Sequence, residues 1–107
     1  VTDFDRSAGN ELAVSALLDY LPLPVATMTP RPDAVHITVT SARDLSRWMY
    51  DLGGRIVQSS GADGVALWTL HTATPVRSDG STVPIRVHAV VVDGEDVLAE
   101  VRPGVGL

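Results

Sequence analysis

Ala34-Val-His-Ile-Thr-Val-Thr-Ser-Ala-Arg-Asp-Leu-Ser-Arg-Trp-Met-Tyr-Asp-Leu-Gly-Gly-Arg-Ile-Val-Gln-Ser-Ser60 changes its hydrophobic period twice. From Ala34 to Thr40, apolar Val35, Ile37 and Val39 alternate with His36, Thr38 and Thr40, the pattern of a strand buried on one face only. Leu45, Trp48, Met49 and Leu52 then recur at i, i+3, i+4 and i+7, which is one face of an α-helix. Ser41 is placed to cap that helix, and Asp44 falls near the positive end of its dipole. Gly53-Gly54 ends it, because glycine adopts the left-handed C-cap conformation at little cost. Residues 55–60 follow as a short second strand.

Downstream, Asp-Gly pairs at 63–64, 79–80 and 93–94 are turn signals between β-prone segments. They leave Val65 to Thr74, Val83 to Val92 and Glu95 to Val101 as three meandering strands. Upstream, Val14, Leu17, Leu18 and Leu21 give a second helical stripe over Asn10 to Leu21, with Asn10 or Ser7 as its N-cap. This helix either packs on its own domain or crosses to a second subunit. Pro22 and Pro24 stop it, and the Pro-rich residues 22–33 read as an extended connector. Residues 1–8 read as a flexible arm carrying Phe4, and 103–107 as a C-terminal tail. The expected architecture is a single α+β domain over 9–102. An N-terminal helix precedes β-α-β-β-β-β, the sheet is largely antiparallel, and the second helix packs on one of its faces.

Composition narrows the function. At 107 residues the chain has the size of one domain, and 45% hydrophobic with 20% charged residues is ordinary globular usage. There is no cysteine, which removes disulfides, thiolate metal sites and cysteine nucleophiles together. The thirteen acids outnumber eight bases, all Arg, for a net charge of −5, and the Arg residues are scattered, so no basic footprint for nucleic acid exists. Arg without Lys is what a GC-rich bacterial genome tends to write, and it carries no mechanistic weight. No segment approaches the ~20 apolar residues of a membrane span, and no signal peptide is legible. These features predict an acidic, soluble, cytoplasmic protein.

A hairpin of 65–74 with 83–92 has two register parities, and hydrophobicity selects one. If Ala66, Trp68 and Leu70 share a face with Ile85, Val87, Ala89 and Val91, that face is wholly apolar and receives the stripe of Leu45, Trp48, Met49 and Leu52. Thr69, His71, Arg86 and His88 then share the other face with His36 and Thr38. His36, His71, His88 and Arg86 are therefore the candidate ligand or metal residues. Imidazoles bind divalent metals and an Arg fork binds a carboxylate or phosphate. Glu95 or Glu100 could add a carboxylate. The same alternation is also what any half-exposed sheet requires, and the histidines follow no compact zinc spacing.

Other catalytic templates are absent. There is no Gly-x-Ser-x-Gly elbow for a serine triad and no phosphate-binding glycine motif, and the acidic pairs Asp3/Asp5 and Glu95/Asp96 lie in the arm or beside a turn. Trp48 and Trp68 are expected in the core.

The segment from His36 to Ile56 resembles the opening of a βαβββ module of the vicinal oxygen chelate superfamily, which includes glyoxalases and bleomycin-resistance proteins. The resemblance rests on a strand beginning with His, an Asp-Leu helix start, an aromatic at mid-helix and a Leu-Gly-Gly exit. It implies a cupped sheet with His36 as a first-strand metal ligand. Such proteins carry two modules and a last-strand Glu, so it also implies that two copies of this chain would pair around a divalent metal. The reading taken from the residues themselves is a non-enzymatic interaction or ligand-binding module, a homodimer that covers its open face or pairs a sheet edge. Val90, Val92 and Phe4 are the interface candidates. The alternatives are a metal-dependent lyase, isomerase or ligand-sequestering protein built from paired modules, and an accessory regulator of another protein.

Overall fold

The computed structural model describes residues 2–60 and 64–92. Helix α1 (Asp3–Tyr20) is followed by β1 (Thr27–Pro30), β2 (Val35–Thr38), α2 (Ala42–Leu52), β3 (Arg55–Ser60), β4 (Val65–Ala73) and β5 (Pro84–Val92). The strands form one mixed sheet in the order β1-β2-β5-β4-β3. Among the described residues only β2 and β5 run parallel, and the other three pairs are antiparallel. The α+β class and the antiparallel-dominated sheet are as the sequence predicts. The strand expected over 95–101, its Glu95 and Glu100, and the 103–107 tail lie outside the described residues.

Two elements differ from expectation. α1 starts at Asp3, because Thr2 and Asp5 make a capping box: the Asp5 amide donates to Thr2 Oγ1 at 3.1 Å and the Thr2 amide to Asp5 Oδ2 at 3.4 Å. Residues 3–8, expected as an arm, are thus its first turns. Neither Ser7 nor Asn10 is the cap. Asn10 Nδ2 instead donates to the carbonyls of Arg31 and Pro32 at 2.9 and 3.2 Å, holding the helix to the turn after β1. The connector also hides a strand, β1, whose Pro30 is tolerated at the end of an edge strand.

Both helices lie on one face of the sheet. α2 buries Ala42, Leu45 and Trp48 against β4 and β5, while α1 buries Val14 and packs Leu17 and Leu18 beside β1 and β2. They enclose Val35, Ile37, Leu70, Ile85, Val87 and Ala89. The buried Trp48 indole donates from Nε1 to the Pro24 carbonyl at 2.7 Å, so the connector is fastened to the core by a satisfied polar atom. Ser41 Oγ accepts from the Asp44 amide at 3.1 Å, as its N-cap position requires. In the β4–β5 register, Trp68 faces Ala89, Leu70 faces Val87 and Thr69 faces His88, the parity that hydrophobicity selects. One crowded point is Gly54, at φ +104°, where a Cβ would collide with the His71 carbonyl oxygen.

Candidate functional site

The sheet face away from the helices is organised in rows by the strand register. One row reads Thr29, His36, Arg86, His71 and Arg55 from β1 across to β3, and the next reads Thr27, Thr38, His88, Thr69 and Val57. Beyond them Val90 lies beside Leu67 and Ser59, and Val92 beside Val65. The face is therefore basic at one end and apolar at the other, and no Asp or Glu stands on it among the described residues.

Where these halves meet, His36 and His88 are diagonal neighbours on the parallel strands β2 and β5. His36 Nδ1 and His88 Nε2 share a hydrogen bond of 3.0 Å, with ring planes 2° apart and centroids separated by 5.3 Å. On its other side, His88 Nδ1 is 3.0 Å from Thr69 Oγ1, so Thr69, His88 and His36 form one hydrogen-bonded chain. Each link needs one proton between two heavy atoms, and two imidazolium rings would set one N–H against another. Burial holds His88 below the ordinary imidazole pKa, and the charges of His36, His71 and Arg86 act in the same direction. His71 is lowered as well, first by burial and then by Arg86 and Arg55.

Of the predicted site residues, His36 and His88 are in contact. Arg86 lies opposite both His36 and His71 in the register. His71 keeps company with Arg86 and Arg55 rather than with the histidine pair. Among the described residues, no three His, Asp or Glu side chains gather closely enough to hold a metal ion. Two imidazoles and a hydroxyl can relay or share a proton, and the neighbouring basic row can take an anion.

Val90 is 57% exposed, next to Leu67 at 41%, and Val57, diagonal to Leu67 on β3, is 42% exposed; Val92 is half-exposed. Phe4, 80% exposed, lies on α1, which covers the opposite face, so it does not join that group. Arg55, Val57 and Leu67 belong to the open face although they were not singled out in the sequence. Their signal was available, since period-two alternation along 55–60 and 65–73 places each beside a residue that was. At the end of the sheet the basic row borders an open cavity of about 520 Å³, lined in part by Asp51, Gly54, His71, Thr74 and Arg86.

Comparison with protein families, curated proteins and solved structures finds no match for the chain.

Proposed function

We propose that this chain is a small non-enzymatic interaction or ligand-binding module that works as a homodimer, with the open sheet face as its working surface. The observation that carries this reading is the apolar end of that face. Leu67 pairs with Val90, Val57 lies diagonal to Leu67 on β3, and all three are exposed, although both helices are stacked on the opposite side. A two-fold axis through such a patch lets it cover itself with a second copy, and the exposed edge strand β3 offers backbone pairing beside it. Native mass spectrometry of the untagged protein tests this. A dimer that Val90→Asp reduces to a folded monomer is the expected result, and a wild-type monomer at micromolar concentration overturns it.

A second reading is favoured by the histidine pair. His36 on β2 and His88 on β5 meet on one face, and β2-α2-β3-β4-β5 runs in βαβββ order. A metal-dependent lyase, isomerase or ligand-sequestering protein would use two such modules around a shared divalent ion. The same spectra separate the two: stoichiometric metal, lost in both His36→Ala and His88→Ala while the dimer persists, replaces the first reading with the second.

A further inference from the structure

We propose that Arg55, His71 and Arg86, adjacent on β3, β4 and β5, bind the phosphate group of a small phosphate monoester. The three residues occupy one register position on neighbouring strands. Directly opposed residues have Cα atoms about 4.5–5.5 Å apart. Two long guanidinium arms therefore flank a short imidazole within the reach of a single oxyanion. The two guanidinium charges on either side of His71 repel each other across one intervening strand, a cost that a bound anion would relieve. Among the described residues nothing on this face offsets that cost. The protein carries a net −5, yet among the described residues no carboxylate shares this face, and no ion pair holds Arg55 or Arg86. Arg86 spends one N–H, from Nη1, on the Ile85 carbonyl at 3.2 Å; its other donors remain for a ligand.

The donor set favours phosphate over carboxylate. Two guanidinium forks and one imidazole exceed what two carboxylate oxygens on a single charge can satisfy, whereas a phosphate monoester presents three terminal oxygens and nearly two charges. Asp51, at the end of α2, lines the cavity below the row. The pKa of His71, lowered first by burial and then by Arg86 and Arg55, agrees with this arrangement, because an anion that offsets the two guanidiniums removes their share of the shift.

This inference rests on the open face being the working surface and does not require dimerisation. The test titrates the full chain with methyl phosphate and with acetate at low salt, following the histidine ring signals by NMR, with native mass recorded in parallel. Saturable methyl phosphate binding with a Kd below about 1 mM is expected, together with a rise in the His71 pKa, and acetate at least about tenfold weaker. His71 is titrated with Arg55, Arg86 and His88, which face it from β3 and β5, and Asp51, which shares its cavity, all in place. Arg86→Gln and the more exposed Arg55→Gln each weaken binding about tenfold, while Arg77→Gln on the β4–β5 turn does not. Absence of saturation, equal binding of acetate, or indifference to both Arg55→Gln and Arg86→Gln overturns the proposal. A failed titration on an intact dimer sinks this site alone, and successful binding by a monomer sinks the dimer alone.

Discussion

His88 is the residue through which the open face senses pH. Its pKa is held down first by burial and then by His36, His71 and Arg86, so the folded protein resists a proton that the unfolded chain accepts at its ordinary value. The unfolded state then binds more protons over the window below the ordinary imidazole pKa, and stability rises with pH there. The lowered His71 adds to the same slope. Stability measured by urea unfolding is accordingly full above about pH 7 and declines as pH falls toward about 5, before most carboxylates titrate. His88→Gln flattens that decline; an unchanged slope in the variant would show that the pair's proton is not shed on folding. The sequence had placed His36, Arg86, His71 and His88 on one face through simple alternation. It could not say that His36 and His88 hydrogen-bond to each other, because that contact depends on β2 lying parallel to β5, a pairing between segments about fifty residues apart.

At the level of elements, local signals were legible wherever the chain's own chemistry decides. The β3 boundaries, the Ser41 cap and the glycine exit of α2 follow from short-range patterns. β1 was hidden because prolines mask a strand at an edge, where its missing N–H costs nothing. α1 extends further than its apolar stripe, because residues 3–9 carry none and its start is fixed by the Thr2–Asp5 box. The α2–β3 junction shows the same division. Gly53 and Gly54 both have positive φ, +75° and +104°, but a Cβ at Gly53 meets open space while one at Gly54 meets the His71 carbonyl. Gly53→Ala should cost about 2 kcal/mol, because φ +75° with ψ −156° is a backbone conformation essentially reserved for glycine. Gly54→Ala should cost at least about 2 kcal/mol more, since the β3–β4 ladder must also shift. Equal losses in urea melts would mean that β4 gives way freely at His71, and the basic row would then be less rigidly set than its register implies.

For the whole molecule, the decisive asymmetry is that α1 and α2 both cover one face of a five-stranded sheet, leaving the other to His36, His88, the basic row and the apolar end. Hydrophobic alternation predicted two-sidedness, but it could not assign α1 to the same side as α2, since an amphipathic helix fits any apolar surface. A domain so constructed gains by burying Leu67, Val57 and Val90, at roughly 25 cal/mol per Å² of apolar surface removed from water. Association linked to folding makes the melting temperature depend on concentration, because only the folded chain offers the patch. Across an approximately hundredfold range of protein concentration, the wild type should therefore melt at progressively higher temperature. Val90→Asp should lose that dependence and melt near the dilute wild-type value, with its far-UV circular dichroism unchanged. Position 90 faces away from the helices and the core, so the aspartate finds no buried site to disrupt. A wild-type melting temperature that does not move with concentration would leave the apolar end uncovered by a second copy, and the dimer would have to be abandoned.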